Sequence, residues 1–302
     1  MAEVPDGYGP SVVTVGVFDG VHRGHRIVIE HAVTRARAAG AATVLVTFHP
    51  HPQSVVRPDT AMPLLSLPQH RVPLAGDAGA DAVLVLPFTR EMSQQAPEDF
   101  VADLVERLHP VAFVVGDDFR FGHKAAGDVG LLAALGERHG FTVEVVPPQG
   151  DGGARFSSSR AREALLGGDV VAAGDVLGRP FAVSGPVIEG AHRGRELGFP
   201  TANLACPQEL VVPADGVYAG LLVRADGRRL PAAISVGTNP QFDGDQRQVE
   251  AYCLDRDDLE LYGEVVRVEF TARVRGQLVF ASVDELVEQM KADVETIRTV
   301  LT

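Results

Sequence analysis

The chain has 302 residues, 45% of them hydrophobic, and a formal net charge of -13. Its length suggests two domains, and its acidic balance argues against a surface that binds nucleic acid or anionic membranes. The sequence shows no apolar run of membrane-spanning length, no signal peptide and no CxxC pair, because Cys206 and Cys253 are far apart. We therefore expect a cytoplasmic protein without structural zinc or a disulfide framework.

Lysine is almost absent from the chain. Lys124 and Lys291 are the only lysines, and neither follows a glycine-rich loop. The P-loop of many ATP-binding proteins places a lysine directly after its glycines. If this chain binds ATP, it does so without a P-loop lysine.

The first predicted elements are a strand at Val12–Val15, a turn that contains glycines, and a helix from about Arg23 to Gly40. This order brings backbone N–H groups and the positive end of a helix dipole to one point, which suits an anionic phosphate. His22 and His25 share a face of the first helical turn, and the neighbouring glycines allow a close approach. We predict that this turn binds the phosphates of a nucleotide; the alternative is a turn with two exposed histidines.

Strands and helices alternate through the rest of the first half. Continuous apolar strands separated by amphipathic helices imply an α/β fold with a parallel sheet covered on both faces. Ligands of such sheets bind beyond the carboxyl ends of the strands, and motifs at residues 16–25, 48–52 and 116–123 fall at such ends. The predicted strands are Thr43–Phe48, Ala82–Leu86, Val111–Val115 and Thr142–Val146, with helices from Pro97 and across Leu131–Arg138.

Three further stretches of the first half carry candidate binding residues. The rigid loop from Phe48 to Pro52 can shape a flat pocket, or it is a simple turn after a strand. The loop Gly116–Gly122 offers two carboxylates, an arginine and two aromatic rings, or it is a solvated acidic loop. The serines at 157–159 are ordinary helix caps, or they form a second phosphate-binding site together with Arg162.

The second half, after Gly178, is predicted to be all β with one closing helix. Its short strands are separated by turn residues and lack intervening helices, which is typical of an antiparallel barrel or sandwich. Ser282 and Glu285 have capping-box spacing, and the helix that follows carries an apolar stripe that we expect to pack on the barrel. The predicted strands are Phe181–Val187, Gly216–Arg224, Ala232–Val236, Gln248–Leu254 and Val265–Arg275.

Candidate chemistry in this half centres on the stretch from Gly190 to Asn203. A glycine-rich loop that carries arginines can wrap phosphates with its backbone N–H groups. Thr201 and Asn203 point the same way on an extended segment, and their hydroxyl and amide oxygens are hard ligands suited to Mg²⁺. Glu250 interrupts an apolar strand pattern and can take a proton from an attacking hydroxyl; the alternative is a solvent-facing glutamate.

Taken in order, these motifs resemble the bacterial bifunctional riboflavin kinase/FAD synthetase family over essentially the whole chain. The first half resembles the nucleotidyltransferase module in the HxGH-type stretch His22–His25 and in Thr47–Pro52, Gly116–Gly122 and Ser157–Arg162. The second half resembles the flavokinase module in Gly194–Asn203, Gly216–Gly220, Ser235–Pro240 and Glu250. HxGH is shared by many adenylyl- and cytidylyltransferases, whereas the flavokinase runs are highly specific.

The resemblance implies a Rossmann-like nucleotidyltransferase domain over 1–178 and a β-barrel riboflavin kinase domain over 179–302. The first would transfer the adenylyl group of ATP to FMN, giving FAD and pyrophosphate, with His22 and His25 stabilising charge as pyrophosphate leaves. Its ATP site would comprise Gly16, Phe18, Asp19, Gly20, His22, His25, Ser158, Ser159 and Arg162. Its flavin site would comprise Phe48, His49, Pro50, Asp118 and Phe119.

For the second domain, the resemblance implies phosphorylation of riboflavin to FMN by ATP. Glu250 would deprotonate the ribityl 5′-hydroxyl, and Thr201 and Asn203 would bind Mg²⁺. The implied partners are small molecules (riboflavin, FMN and ATP), with the chain a monomer or a transient homo-oligomer. The ATP phosphates would be covered by Gly190, Arg193, Gly194, Arg195, Gly198 and Pro200.

Three residues depart from the family pattern. His49 stands where the family usually has Asp, near the expected flavin site; Ser159 replaces a common Thr but keeps the hydroxyl; Val279 replaces a common Lys. His49 motivates one alternative, a paralogue whose first domain transfers a nucleotidyl group to a different phosphorylated acceptor. A second alternative is a non-catalytic flavin-nucleotide sensor, and the joint presence of paired histidines, metal ligands and a base argues against it.

Overall fold

The computed structural model describes residues 4, 8–60, 62–190, 197–238, 247–256 and 258–302. The chain divides into two compact units, Met1–Ser157 and Ser158–Thr302. This division falls at the start of a helix, whereas the composition changes near Gly178. The functional boundary between 178 and 179 stays a prediction.

A five-stranded parallel sheet in the order β3-β2-β1-β4-β5 forms the centre of the first unit, which confirms the predicted α/β architecture. Its strands are β1 Ser11–Val15, β2 Ala42–His49, β3 Ala82–Pro87, β4 Pro110–Gly116 and β5 Thr142–Val146, followed by a hairpin of β6 Gly150–Asp151 and β7 Ala154–Arg155. Its helices are α1 Arg23–Ala39, α2 Pro52–Val56, α3 Pro68–Asp77, α4 Pro97–Leu108 and α5 Val129–His139.

Neighbouring residues of β1 bury their side chains on opposite faces of this sheet. Val12 belongs to an apolar cluster with Ala32 and Ala36 of α1. Val13 belongs to a different cluster, together with Leu104 of α4 and Leu132 of α5. Helices therefore cover both faces, as continuous apolar strands predict.

Local sequence signals explain where these helices begin and end. Pro97 opens α4 at its first turn, where a missing N–H costs nothing. The carboxylate of Asp128 accepts a hydrogen bond from the amide of Leu131 and caps α5. The chain leaves α1 at Gly40 with φ 62°, a left-handed conformation that glycine adopts without strain.

The second unit is built around a closed six-stranded barrel in the order β10-β11-β12-β9-β8-β13, which confirms the barrel rather than a sandwich. Its strands are β8 Phe181–Ile188, β9 Thr201–Leu204, β10 Gly216–Val223, β11 Arg229–Thr238, β12 Arg247–Cys253 and β13 Val265–Arg275. Helices α6 Ser158–Gly167 and α7 Val170–Leu177 precede the barrel, and α8 Val283–Leu301 follows it.

The closing helix α8 packs as its apolar stripe predicts. Ser282 accepts a hydrogen bond from the amide of Glu285 at 3.2 Å, so the predicted cap is formed. Val294 and Ile297 join Phe199 and Ala219 in one apolar cluster. None of the described helices combines the length and the hydrophobicity that crossing a membrane requires.

Candidate active sites

The turn after β1 has a strained backbone. Phe18 and Val21 have φ values of 52° and 40°, in a left-handed region that a β-branched residue such as Val rarely occupies. Such strain persists only where the surroundings enforce it, and it is concentrated at functional sites. The surroundings include Asp19, which is 1% exposed and accepts hydrogen bonds from the amides of Leu65 and Ser66. Asp19 thus shapes the turn from within.

The two histidines of this turn contact each other directly. The Nδ1 atom of His22 accepts a hydrogen bond from the amide of His25 at 3.3 Å and caps α1. The two rings stack with centroids 3.6 Å apart. Because Nδ1 of His22 is an acceptor, the neutral ring carries its proton on Nε2. A Cβ atom at Gly24 would lie 3.2 Å from the His22 ring, so a larger residue there would push the ring by a few tenths of an ångström.

His25 is held in its neutral form. Burial lowers its pKa well below the usual value for histidine, and the neighbouring His22 and Arg71 lower that pKa further. Its Nδ1 atom is buried and has no hydrogen-bond partner among the described residues. A polyphosphate bound here would favour a protonated ring. The binding of a phosphate at this pair of histidines stays a prediction.

Arg71 also belongs to this region, although no sequence motif points to it. It lies on α3, a helix that was not predicted, and it is 1% exposed. Its guanidinium lies 3.9 Å from the Asp19 carboxylate and donates hydrogen bonds to Thr47, Phe48 and Ser66. A single arginine outside any motif is not recognisable in the sequence, and only its burial in the fold reveals it.

The loops predicted to line the flavin converge on one apolar cluster. Phe48 and Phe119 both pack against the core of the first unit. The Phe48 ring lies 5.7 Å from that of Phe88, and the Nδ1 atom of His49, beside Pro50, is buried without a partner in the described structure. The side chain of Asp118 is 76% exposed, 3.7 Å from the guanidinium of Arg155. The aromatic members are thus brought together, while Asp118 lies at the surface.

The residues predicted to form a second phosphate-binding site lie at the start of α6. Ser158 and Ser159 occupy its first turn, and Arg162 is 6% exposed. These residues belong to the second compact unit, whereas His22 and His25 belong to the first. Their union into one ATP site stays a prediction.

In the second unit, strand pairing brings the predicted metal ligands to the predicted base. β9 and β12 are antiparallel neighbours, with Asn203 directly opposite Glu250 and Thr201 opposite Tyr252. The Thr201 hydroxyl donates a hydrogen bond to the Glu250 carboxylate at 3.2 Å. Residues 47 and 49 positions before Glu250 therefore form one cluster with it on two hydrogen-bonded strands.

The surroundings of Glu250 favour a role as a base. Val249 and Ala251 are buried at 0% and 1% exposure, so Glu250 alternates onto the other face of β12. Burial raises its pKa above the ordinary value for glutamate, and the Thr201 hydrogen bond partly opposes that rise. A carboxylate with a raised pKa holds an accepted proton more readily than an exposed one.

A cavity opens beside this cluster. A Cβ atom at Gly190 would lie 2.3 Å from the side-chain amide nitrogen of Asn203, so any larger residue there would displace the Asn203 side chain. Gly198 has φ +84°, and the predicted phosphate-loop residues Arg193, Gly194 and Arg195 lie outside the described residues. The sequence did not point to Cys253, Arg256 or Tyr262, which follow no motif. Residues lining the cavity include Gly190, Pro200, Thr201, Asn203, Cys253, Arg256 and Tyr262.

The chemistry of the cluster fits Mg²⁺. No group of three or more His, Cys, Asp or Glu side chains in the described chain could hold a metal by itself. Mg²⁺, however, usually binds proteins through one or two side-chain ligands and takes the rest from water and substrate phosphates. The Thr201 hydroxyl, the Asn203 amide and the neighbouring Glu250 carboxylate supply oxygens of the kind that it prefers.

Comparison with known proteins gives one match to each half of the chain. Residues 6–160 match the family model for FAD synthetase, and residues 177–301 match that for riboflavin kinase. The chain is 35% identical to the bifunctional riboflavin kinase/FMN adenylyltransferase of Escherichia coli (strain K12), over 95% of this chain and 91% of that protein. It is 36% identical to the protein of the same description from Pseudomonas fluorescens, over 95% and 92% of the two chains.

A solved structure resembles both halves together. It is described as the macrolide-efflux protein from Streptococcus pneumoniae, and the TM-score is 0.89 at 32% identity. The match covers 98% of this chain and 96% of that chain.

Proposed function

The chain belongs to the bifunctional riboflavin kinase/FMN adenylyltransferase family, and from that premise we propose that it makes FMN and then FAD. The kinase phosphorylates riboflavin with ATP, and the adenylyltransferase joins FMN to the adenylyl group of a second ATP and releases pyrophosphate. The observation that carries this proposal is the match of a different family model to each half of the chain. We assign the adenylyltransferase to 1–178 and the kinase to 179–302.

In the kinase, Glu250 takes the proton from the ribityl 5′-hydroxyl of riboflavin, and that oxygen attacks the γ-phosphorus of ATP. The bond between the γ-phosphorus and the β,γ-bridging oxygen breaks, and ADP leaves. Thr201 and Asn203 hold Mg²⁺, which neutralises charge on the phosphates when it is bound. The hydrogen bond from Thr201 orients the carboxylate, and the raised pKa of Glu250 suits it to accept the proton. The loop that includes Arg193, Gly194 and Arg195 covers the phosphates.

In the adenylyltransferase, a phosphate oxygen of FMN attacks the α-phosphorus of ATP. A bond forms between that oxygen and the α-phosphorus, the bond to the β-phosphate oxygen breaks, and pyrophosphate leaves without a covalent enzyme intermediate. His22 and His25 donate hydrogen bonds to the phosphate oxygens on which negative charge develops. Electrostatic stabilisation of this kind, together with positioning, is the main way proteins catalyse phosphoryl transfer. Ser158, Ser159 and Arg162 hold the triphosphate.

The flavin of FMN lies against the Phe48 and Phe119 side of the first unit. Both rings already pack on one apolar cluster, so they offer a fixed aromatic surface against which a flat aromatic ligand can pack. His49, Pro50 and Asp118 complete this side. We further propose that the chain works in the cytoplasm on small molecules, as a monomer or a transient homo-oligomer, without a nucleic-acid or membrane partner.

The test is a time course with purified protein, riboflavin, ATP and Mg²⁺, followed by chromatography. FMN should appear first and FAD later, and chelation of Mg²⁺ with EDTA should stop the phosphorylation of riboflavin. Accumulation of FMN without FAD, together with adenylylation or cytidylylation of another phosphorylated acceptor, would instead identify the paralogue that His49 suggests. Binding of flavin nucleotides without turnover would identify a sensor.

A further inference from the structure

Arg71 is a fixed, buried cation with an unusual set of partners. One guanidinium nitrogen donates to the Thr47 hydroxyl at 2.9 Å and to the Phe48 carbonyl at 3.0 Å, and another donates to the Ser66 carbonyl at 3.0 Å. Its Nε atom is buried without a hydrogen-bond partner among the described residues. Burying a charge is costly, so an arginine that served only to fill the core would be a poor choice.

These partners lie in two segments, the end of β2 and the stretch around Ser66, and both segments are hydrogen-bonded to the turn after β1. The Thr47 hydroxyl that receives the Arg71 hydrogen bond donates in turn to the Val17 carbonyl, in the turn after β1. Phe48 begins the loop predicted to contact the flavin. Ser66 accepts a hydrogen bond from the amide of Gly20, so it holds the same turn from the other side. One guanidinium therefore fixes the nucleotide turn and the acceptor loop in a single arrangement.

The counter-ion of Arg71 ties it to the same turn. The Asp19 carboxylate lies 3.9 Å from the guanidinium, and both side chains are 1% exposed. Asp19 is already engaged with the amides of Leu65 and Ser66, which spreads its negative charge over several donors. Burial and the neighbouring His22 lower the pKa of His25, and the positive charge of Arg71 lowers it further. The described part of this turn thus has a permanent cation beside it, although no lysine is available for that task.

We propose that Arg71 is a positioning residue of adenylyl transfer, which holds the nucleotide turn and the acceptor loop in register and contributes a permanent positive field at the paired imidazoles. It forms no bond to the reacting atoms; it acts through Thr47, Ser66 and His25. This proposal rests on the proposed adenylyltransferase function. Misplacement of reacting groups by about 1 Å can cost on the order of 10²-fold in rate, and that is the scale we expect.

The experiment compares R71M and R71K in the full-length chain. In R71M, FMN adenylylation should fall about 10²-fold, and the titration midpoint of His25, followed by NMR, should rise. In R71K the charge remains, so the His25 midpoint should stay low, yet adenylylation should still fall because one ammonium cannot replace a planar fork that reaches three acceptors. Riboflavin phosphorylation in the same preparations is the internal control and should be unchanged.

A folded R71M protein with normal adenylylation and an unmoved His25 midpoint would overturn the proposal. Should R71M fail to fold, R71K decides: full adenylylation by R71K overturns the positioning role, and a selective loss of adenylylation supports it. Failure of the proposed function looks different, since the unmodified protein would then make no FAD from FMN. In that case the titration midpoint of His25, compared between R71M and the unmodified protein, still shows whether the charge of Arg71 acts on that ring.

Discussion

The stacked imidazoles of the first unit owe their state to their neighbours. His25 lies against the His22 ring, with burial and the charge of Arg71 both opposing its protonation. A ring that is neutral in the free protein can accept or share a proton when polyphosphate arrives. The protonation state of His25 therefore depends on whether a charged ligand is bound.

We predict a pH-dependent contribution of His25 to stability. Because its pKa in the folded state is lower than the unfolded value of about 6.5, the folded state binds fewer protons, and stability is lost as the pH falls below about 6.5. Replacement His25→Gln, which does not titrate, should remove this dependence. Urea unfolding followed by far-UV circular dichroism at several pH values between 5 and 8 measures it.

The difference in unfolding free energy between H25Q and the unmodified protein should be constant above pH 7. On the acid side it should shift in favour of H25Q, by at most about 1.4 kcal/mol per pH unit. A difference that stays constant down to pH 5 would contradict a neutral, buried His25.

Part of each site could be predicted from residue spacing alone. Spacing of three brings His22, the N-cap of α1, next to His25 in its first turn, and spacing of two places Thr201 and Asn203 on one side of a strand, because both are set by local geometry. The contact between Thr201 and Glu250 depends on the pairing of β9 with β12, which no local pattern specifies. Arg71 was missed because arginine is almost never fully buried, and sequence patterns assign it to the surface.

Among the elements, the long periodic ones were predicted and the short polar ones were not. The helix that begins at Pro97 and the closing helix have strong apolar patterns, and the structure confirms both. Helix α3 contains Pro73 and lacks a clear apolar stripe, so its sequence does not favour a helix. β9 has only four residues, two of them polar, and pairing with its neighbours rather than intrinsic preference makes it a strand.

The closing helix is fastened to the barrel by a buried ion pair. Asp293 of α8 and Arg275 of β13 meet through hydrogen bonds of 2.7 to 3.1 Å, with their side chains 6% and 17% exposed. Gln289 also donates to Asp293, at 2.9 Å. Removing one member leaves a buried charge uncompensated.

We predict that Asp293→Asn destabilises the protein by about 3 kcal/mol, the lower end of the range for breaking a buried pair. The matched control is Asp255→Asn, which breaks the pair between Asp255 and Arg298 of the same helix at a surface where the Asp side chain is 65% exposed. An exposed pair of this kind contributes about 1 kcal/mol or less. Thermal and urea unfolding of the two variants should therefore differ clearly, and equal losses would show that the buried pair contributes no more than the exposed one.

For the whole molecule, two chemistries share one chain without sharing their key residues. The paired imidazoles belong to the first compact unit, and the cluster around Glu250 belongs to the second. The order of motifs predicted both halves and their architectures. Where one function ends and the next begins is harder to predict, because α6 and α7 group with the barrel while the change of composition follows them.

We predict that the two activities can be removed one at a time. Glu250→Gln should lower riboflavin phosphorylation by about 10²- to 10⁴-fold, the usual scale for loss of a general base, and leave FMN adenylylation near normal. His25→Ala should do the reverse, at a cost on the order of 3 kcal/mol of transition-state stabilisation. Separate assays with riboflavin and with FMN as the starting substrate measure each step, and a joint loss of both activities in both variants would contradict the two-site account.

The closure of the barrel has a consequence for handling the protein. Each barrel strand has hydrogen-bonded neighbours on both sides, whereas the described parallel sheet ends at β3 and β5, where Val145 is 43% exposed. Outer strands of a sheet can template the addition of a strand from another molecule. Aggregation during concentration or storage should therefore start from the N-terminal half, and a lysine in place of Val145 is a more promising remedy than any change to the barrel.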